Sequence, residues 1–461
     1  MPRLSRAGTS PSETLERAGM TRAGMERMHV PNLSPSPVSS LIGIVTYLTE
    51  VELMRGAPEV FVSAARGPDM AVLGYPTGAS INGSGAGLTW DVAYGAAVGE
   101  CLERYSASIV NSEDLVIGSY RSLRKSGRLA HSPTSWAIFD STQKVPYPPF
   151  TADREISWTA GRDLATGARV WVPACFAYLS SNPQLRESGA SLIGPSVSTG
   201  CACSALTSES VLKGLCELVE RDAFMIVWRN RLCVPEIVID KDTAIYETYL
   251  ARFLRPGLEY RLWQTTLDFS IPSFFGVLFD HRGPTTRMIV GGAANYDAEM
   301  AVQKTLCELV QGLSWLEHIG NRPFPNGVQF DAIRTFTDRA ILYANTDLRA
   351  ALSFMLDNHS PVPLSSIRSK PGSIEELLAR CIQEMESKGL KPCAVDLTSD
   401  DVKSCGYVVT RAVVPGLETM DGDHRLQMLG GKRWRHVPVE LGLRSKYTTM
   451  EEINPFPHPY P

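Results

Sequence analysis

Three segments of the chain place glutamates inside helical patterns that are otherwise largely apolar. They read ECLERY (residues 100–105), ELVERD (217–222) and ELVQ (308–311). Positions i, i+3 and i+4 share one face of a helix, so each of the first two segments points two carboxylates and a guanidinium in one direction. Because the neighbouring residues are leucines and valines, these carboxylates are expected to be partly buried, where an unpaired charge is costly. The three helices are therefore expected to meet around a source of positive charge.

Magnesium ions and a nucleotide would supply that charge. Mg²⁺ takes oxygen ligands and commonly sits between a few carboxylates and substrate phosphates, and arginines clamp phosphate oxygens. Glu209 at the head of the second helix is a further ligand candidate, and the glycine-rich NGSGAG (82–87) predicts a turn whose N–H groups face phosphate. A single ExxER segment is more often a solvated helix face, but two copies beside a third acidic helix favour an ATP–Mg²⁺ site without a Walker loop.

The bulk composition argues against other classes of partner. The 461-residue chain has a net charge of −4 and a pI near 6.1, so it offers no basic field for nucleic acid. No apolar run reaches the roughly 20 residues that a membrane helix needs, and the N-terminus has no apolar signal region. Ten cysteines are scattered, several in apolar segments, which is typical of reduced core thiols. The composition predicts a cytoplasmic protein without nucleic-acid or membrane partners.

Strand-like and helical patterns alternate along the chain. Strands are predicted at residues 41–53, 59–65, 168–179, 273–280 and 287–295, and long helices at 90–110, 208–230 and 297–319. Residues 325–390 read as mostly helical and peripheral, and 391–420 as a strand, helix and strand that close a mixed sheet. This alternation indicates an α/β or α+β body over residues 39–450, made of interleaved sub-domains and preceded by a disordered extension, 1–38.

The chain closes on NPFPHPYP (454–461), with a proline at every second position. Proline fixes φ and has no backbone N–H, so this tail (451–461) is expected to be an extended rod with little conformational freedom. It is either an exposed ligand for another domain or a rod that carries its terminal carboxylate to a fixed place inside the protein. Composition alone does not choose between the two.

Several motifs, in this order, resemble the YcaO family of ATP-dependent enzymes that modify peptide backbones. They are GECLERYSA, STGCACSALTSESVLKGLCELVERDAF and CELVQ. The segments VDLTSDDVKSCGYVVTRAVVPGL and LGGKRW and the repeated-proline ending are similar to the azoline-forming branch, the cyclodehydratase D proteins. The resemblance runs from about residue 40 to the C-terminus and implies the YcaO fold, with mixed sheets, packed helices and an ATP site formed by the acidic helices.

The resemblance implies a specific reaction. A Cys, Ser or Thr side chain of a ribosomally made precursor peptide attacks the preceding backbone carbonyl, ATP phosphorylates the resulting oxygen, and loss of phosphate leaves a thiazoline or oxazoline. The implied Mg²⁺ ligands are Glu100, Glu103, Glu209, Glu217 and Glu220. The implied ATP contacts are Arg104, Arg221 and Gln311, to which the glycine-rich segment adds Ser84 and Gly85. The tail would bring the carboxylate of Pro461 to the active site for proton transfer or substrate placement.

The resemblance also implies partners. The family match starts almost at once, so we expect a separate E1-like (C) or ThiF-like (F) protein to bind the leader of the precursor peptide. A flavin dehydrogenase acting on the azoline is a further expected neighbour in the pathway, and homodimerisation is expected by resemblance.

The chain departs from the family pattern at Ala96, Thr199, Ala205 and Leu313, where serine, asparagine, asparagine and arginine are common. Two alternatives therefore stay open. One is a YcaO enzyme that forms a thioamide or an amidine, which the proline-rich ending disfavours. The other is a catalytically idle docking scaffold of a peptide-modifying complex, which the retained glutamates disfavour.

Overall fold

The computed structural model describes residues 36–75, 80–110, 112–136, 138–179, 192–195, 197–319, 329–357 and 361–461. Nearly all of the predicted extension, 1–38, lies outside these residues.

The described residues form fourteen strands. In chain order they are β1 (Tyr47–Glu50), β2 (Phe61–Asp69), β3 (Ser80–Gly87), β4 (Val116–Ser119), β5 (Glu155–Asp163), β6 (Arg169–Pro173), β7 (Cys201–Ser204), β8 (Glu236–Val238), β9 (Leu258–Gln264), β10 (Ser273–Asp280), β11 (Arg287–Ala294), β12 (Pro361–Pro363), β13 (Cys393–Asp396) and β14 (Val408–Val413).

The same residues form eleven α-helices. They are α1 (Trp90–Ser108), α2 (Tyr120–Lys125), α3 (Ala174–Ala177), α4 (Thr207–Asn230), α5 (Tyr246–Thr248), α6 (Ala298–Ile319), α7 (Phe336–Asn345), α8 (Ser353–Leu356), α9 (Ile374–Ser387), α10 (Asp400–Ser404) and α11 (Arg433–Glu440). The three long helices predicted from the sequence are α1, α4 and α6, each within two residues of its expected ends.

The strands build three sheets. The first has the order β1-β2-β3, the second β11-β10-β9-β8-β12, and the third β4-β5-β13-β14-β7, with β6 also paired to β5. Among the described pairs only β8 and β12 run parallel; the others are antiparallel. The prediction of mixed sheets with packed helices is confirmed, and the scarcity of parallel pairs makes the architecture α+β.

The long helices lie between the sheets. Helix α1 packs on β2 and β3 and also contacts β7, helix α4 contacts β7 and β14 on one sheet and β10 and β11 on another, and α6 packs on β10, β11 and β3. Each helix therefore contacts strands of two sheets. Because α1 and α4 both contact β7, and α1 and α6 both contact β3, the three helices approach one another at these strands, where the predicted site would have to be.

The segment NGSGAG is a strand, β3, and the prediction of a turn is wrong. Its glycines alternate with larger residues, so Gly83, Gly85 and Gly87 share the face that lies against α1. A Cβ on Gly83 would lie 2.6 Å from Cys101 N, and one on Gly85 would lie 2.6 Å from Ala97 N. The glycines are required because a helix backbone packs directly on the strand, and not because a turn needs their φ angles.

Two other predictions differ in extent. The strand expected at 41–53 is limited to β1, and the one expected at 168–179 ends at Pro173, where the short helix α3 begins. The expected strand, helix and strand near the C-terminus are β13, α10 and β14. The two strands pair with each other, and β14 also pairs with β7 in the third sheet.

The cysteines are all described, and all ten are free thiols, most of them buried. Their burial agrees with the expected core positions, and the reduced state stays a prediction. In the part of the chain that the structure covers, no helix combines the length and the apolar character that crossing a membrane requires.

The close approach of β3 and α1 can be tested with Gly83→Ala. We expect this variant to lose about 1–3 kcal/mol of stability, because the added methyl group overlaps the α1 backbone. The matched control is Gly99→Ala within α1, where the nearest atom to the new methyl group is Cys203 Cβ at 3.9 Å. Thermal melting followed by circular dichroism compares the two, and equal melting temperatures would contradict the packing described.

Candidate functional site

A cavity of about 70 Å³ lies between α1, α4 and the loop that leads into β7. Its lining is mainly polar and combines three carboxylates with one guanidinium. The lining residues are Glu100, Glu103, Arg104, Ala107, Leu179, Ser198, Cys201 and Glu217. The first two acidic motifs of the sequence, which are more than a hundred residues apart, therefore face one space.

Glu100 connects α1 to β3. Its carboxylate accepts a hydrogen bond from the Ser84 backbone N–H (2.5 Å) and pairs with Arg104 one turn later on α1 (2.7 Å). Arg104 also donates to Asn82 O on β3 (2.6 Å), and Gln311 Nε2 on α6 donates to Ser84 Oγ (2.6 Å). The predicted residues Ser84, Glu100, Arg104 and Gln311 thus form one hydrogen-bonded group that joins three elements.

Glu103 and Glu217 are held by backbone N–H groups of the β7 region. Glu103 accepts from Cys203 N, and Glu217 accepts from Gly200 N, both at 2.9 Å. Gly200 has a φ of 90°, a conformation that favours glycine. Burial, and after it the charges of Glu100 and Glu217, raise the pKa of Glu103 to about 8. The hydrogen bond from Cys203 N and the charge of Arg104 therefore do not offset the burial of this carboxylate.

A second group of charges lies between α4 and α6. Glu220 is only 2% exposed, and burial raises its pKa to about 8, with Arg221 opposing the shift and Glu308 adding to it. Arg221 Nε is 3.1 Å from Glu220 Oε1, yet neither atom makes a hydrogen bond within the described residues. Lys304 contributes a cation from α6, because Glu308 in particular raises its pKa to about 12. The charge of Glu217 also raises the pKa values of Arg221 and Lys304, so Glu217 connects the two groups of charges.

The proline-rich tail docks inside the protein and reaches this second group. Residues 457–460 are buried, and the face of the Tyr460 ring lies 4.4 Å from the guanidinium carbon of Arg221. Pro461 is exposed. The tail contacts the acidic helix α4 through Phe456 O, which accepts from Trp228 Nε1, and through the Tyr460 ring, and the catalytic role of the Pro461 carboxylate stays a prediction.

Two predicted site residues are placed differently from the rest. Glu209 accepts a short hydrogen bond from Ser204 Oγ and pairs with Lys213 (2.9 Å), and it does not line the cavity. Gly85 faces α1, where its missing side chain permits close packing. Their roles as metal ligand and ATP contact stay predictions.

The residues of the site fit Mg²⁺ and a nucleotide. Two carboxylates have pKa values near 8, and the buried Glu220 Oε1 and Arg221 Nε atoms form an ion pair at 3.1 Å but make no hydrogen bond in the described structure, so a cation and phosphate oxygens would give these groups further partners. Within the described ranges, no three acidic, histidine or cysteine side chains already share a position suited to one ion. Mg²⁺ is commonly held by one or two carboxylates together with substrate phosphates, and the separate carboxylates match that pattern.

Two of the four departures from the family pattern, Leu313 and Ala96, lie where helices pack on neighbouring elements. Leu313 is fully buried in an apolar cluster with Leu309 and Leu316, so it does not face the acidic residues. Ala96 lies at the close approach of α1 to Gly85, where a Cβ on the glycine would be 2.6 Å from Ala96 Cβ.

Sequence reasoning missed some residues of the site. Lys304 could have been predicted, because it precedes Glu308 by one helical turn, and the two side chains form an ion pair (3.6 Å). Cys201, read as a core thiol, is buried and also lines the cavity, and Arg411 Nη1 contacts its sulfur at 3.1 Å. Tyr460 and Arg411 gave no local signal, because only the tertiary structure brings them to α4 and β7.

Comparisons with known proteins agree with this geometry. A family model described as YcaO cyclodehydratase, ATP- and Mg²⁺-binding, matches residues 84–418. The predicted fold and family are thereby confirmed, and the description includes both predicted cofactors, ATP and Mg²⁺.

Three solved structures share the fold. A heterocyclase in complex with substrate and cofactor matches with a TM-score of 0.71 at 22% identity, over 100% of this chain and 58% of its own, so the present chain spans less than two thirds of that protein. YcaO from Methanopyrus kandleri, bound with AMPPCP and Mg²⁺, matches with a TM-score of 0.58 at 21% identity, over 89% of this chain and 92% of its own. The E. coli microcin synthetase McbBCD complex matches with a TM-score of 0.56 at 16% identity, over 82% and 90%.

The raised pKa values predict how stability depends on pH. Between the ordinary glutamate pKa of 4.5 and about 8, the folded protein binds more protons at Glu103 and Glu220 than the unfolded chain does, so stability falls as pH rises. We expect the melting temperature of the nucleotide-free protein to fall from about pH 6 to about pH 9, and Glu220→Gln to reduce that fall because glutamine does not ionise.

The control for this experiment is Glu247→Gln, which makes the same change of charge at an exposed position. It should leave the pH profile of the melting temperature parallel to that of the wild type. A Glu220→Gln profile parallel to both would show that Glu220 ionises normally.

Proposed function

The chain belongs to the YcaO family, and from that premise we propose that it is a cyclodehydratase dependent on ATP and Mg²⁺. Its substrate is a ribosomally made precursor peptide, in which it converts Cys, Ser or Thr residues to thiazoline or oxazoline. The observation that carries the proposal is the cavity that Glu100, Glu103, Arg104 and Glu217 line between α1 and α4, together with the second charged group of Glu220, Arg221, Lys304 and Glu308 between α4 and α6.

The arrangement suits a metal–nucleotide complex better than a structural ion-pair network. In a structural network the arginines and glutamates would neutralise each other, and the carboxylate pKa values would lie low. Here burial, more than neighbouring charge, raises the pKa values of Glu103 and Glu220 to about 8, so the arginines beside them do not offset the cost of burying these carboxylates. A bound Mg²⁺ would supply that stabilisation, and the two guanidinium groups suit phosphate oxygens.

The proposed reaction balances without an oxidant or reductant. The thiol or hydroxyl of the substrate side chain adds to the preceding amide carbonyl carbon. The oxygen of that adduct accepts the γ-phosphoryl group of ATP, and ADP leaves. Loss of phosphate from carbon and of the proton from nitrogen then forms the C=N bond of the ring. Phosphorylation matters because an amide oxygen is otherwise a poor leaving group.

Residues of the chain would orient these reactants. We propose that Glu100, Glu103, Glu217 and Glu220 hold Mg²⁺, with Glu209 as an outlying fifth ligand, and that Gln311 and Ser84 contact the nucleotide beside Arg104 and Arg221. The backbone N–H groups of Cys203 and Gly200 already hold Glu103 and Glu217 in place, so these carboxylates need little reorganisation when the metal binds.

We further propose that leader recognition depends on a separate E1-like or ThiF-like protein and that the chain acts as a homodimer. The matching microcin synthetase is itself a complex, which supports a partner protein in this type of system. An azoline-oxidising flavin enzyme would act on the product.

Glutamine variants of the carboxylates in the cavity test the proposed activity. Glu103→Gln and Glu217→Gln should each lower peptide-dependent phosphate release by on the order of 100-fold or more, because each removes a metal-binding charge while keeping a similar shape. Glu247→Gln is the control at an exposed position. Phosphate release and peptide mass are measured together, with the precursor peptide and its leader-binding partner present.

The product mass separates the alternatives. Loss of one water per modified residue, dependent on ATP, supports the cyclodehydratase. Exchange of an amide oxygen for sulfur or nitrogen would identify a thioamide- or amidine-forming enzyme. If neither a mass change nor phosphate release is observed, the docking scaffold is the remaining alternative.

The proposal for Pro461 has its own test. Adding one glycine after Pro461 moves the terminal carboxylate but leaves the buried residues of the tail unchanged. We expect the rate of ring formation to fall by roughly 10-fold or more, as for a group that assists proton transfer, while nucleotide affinity stays the same. An unchanged rate would remove the Pro461 carboxylate from the mechanism.

A further inference from the structure

The tail is anchored through its carbonyl groups. Trp228 Nε1 donates to Phe456 O (3.3 Å), the Tyr343 hydroxyl to Pro457 O (2.7 Å), and Arg339 Nη1 to His458 O (3.3 Å). Because the prolines have no N–H, the carbonyls carry most of the backbone hydrogen bonds that this segment needs. The anchoring fixes the direction in which the chain arrives at Tyr460.

Tyr460 occupies a closely fitted position. Its ring packs edge-on against Phe224 with 4.5 Å between the ring centroids and lies 5.7 Å from the ring of Phe275. Its hydroxyl lies against Gly292, where any Cβ would overlap the oxygen. The residue is 2% exposed, so the protein holds the ring in one place.

The face of that ring is the surface on which Arg221 lies. The guanidinium carbon is 4.4 Å from the ring centroid, well within the range of a cation–π interaction. The edge of the guanidinium contacts Glu220, whose Oε1 is 3.1 Å from Nε, Met420 Sδ, which is 3.4 Å from Nη1, and Glu217, which is 3.8 Å from Nη2. Glu220 therefore pairs with one edge of the guanidinium, and the tyrosine ring fixes the orientation of its plane.

We propose that Tyr460 is a positioning residue that holds Arg221 in the orientation required for nucleotide binding, so that docking of the tail and binding of the nucleotide are coupled. The inference rests on the proposed function, since it assigns Arg221 to the nucleotide. A guanidinium already immobilised against a ring loses less rotamer entropy when it contacts phosphate. The tail thereby has a second role, separate from any role of the Pro461 carboxylate.

The ring, and not the hydroxyl, is the part that acts. The Tyr460 oxygen is buried and makes no hydrogen bond in the part of the chain that the structure describes. Tyr460→Phe should therefore keep the function, whereas Tyr460→Leu keeps an apolar side chain but removes the π face. This pair of variants separates the cation–π contact from simple burial.

The experiment measures binding of Mg²⁺ with a non-hydrolysable ATP analogue by isothermal titration calorimetry, without peptide. We expect Tyr460→Leu to weaken binding by roughly 3- to 30-fold, the range of a cation–π contact, and Tyr460→Phe to bind like the wild type. In steady-state assays the leucine variant should raise the KM for ATP more than it lowers kcat. Tyr447→Leu, at an exposed tyrosine, is the matched control.

A double-mutant cycle tests whether Tyr460 acts through Arg221. In an Arg221→Lys background, Tyr460→Leu should cause less further loss of affinity than in the wild type, because the planar group that it positions is already gone. If the losses of affinity from the two substitutions are fully additive, Tyr460 does not act through Arg221.

Hydrogen–deuterium exchange gives a readout that does not depend on activity. Coupling is reciprocal, so the bound analogue should slow exchange in residues 452–460 of the wild type and not of Tyr460→Leu. Circular dichroism confirms that each variant is folded.

The outcomes separate the positioning role of Tyr460 from the proposed function of the chain. If the wild type binds the analogue and Tyr460→Leu binds it equally well, the positioning role is wrong and the proposed function stands. If the folded wild type binds no Mg²⁺–nucleotide at all, both are wrong.

Discussion

The structure depends on an excess of negative charge that three helices share in one interior. Glu103 and Glu220 have pKa values near 8, mainly because burial removes water from them; neighbouring carboxylates add to the shift, and Arg221 and Lys304 oppose that of Glu220. Arg104, Arg221 and Lys304 reduce this excess without cancelling it. Burying these carboxylates becomes favourable when the site binds a cation together with an anionic ligand. Membership of the YcaO family agrees with such a site.

The fold serves this site by bringing backbone N–H groups to the carboxylates. The glycines of β3 let α1 approach closely enough for Glu100 to accept from Ser84 N, and Gly200 directs its N–H to Glu217. Backbone donors hold a carboxylate in position without adding a full charge. The site therefore keeps both its geometry and its capacity for cations.

The proline-rich tail also holds a group of the site in position, the guanidinium that we assign to the nucleotide. Its prolines lower the entropy lost on docking, and its carbonyls are bonded by side chains from α4 and α7. The ring of Tyr460, near the end of the tail, lies against the guanidinium of Arg221, which also pairs with Glu220. Order in the tail and order in the site are in this way linked through a single contact.

The sequence by itself determined the long helices, their acidic faces, the mixed sheets and the family, because helical periodicity and motif order are local properties of the chain. It also indicated that the acidic faces of α1 and α4 meet, from the cost of burying charge alone. Only the tertiary structure decided that NGSGAG is a strand under α1, that Glu209 pairs with Ser204 and Lys213, and that Tyr460 covers Arg221. Those outcomes depend on which side chains from distant segments become neighbours, and no pattern within a single segment records that.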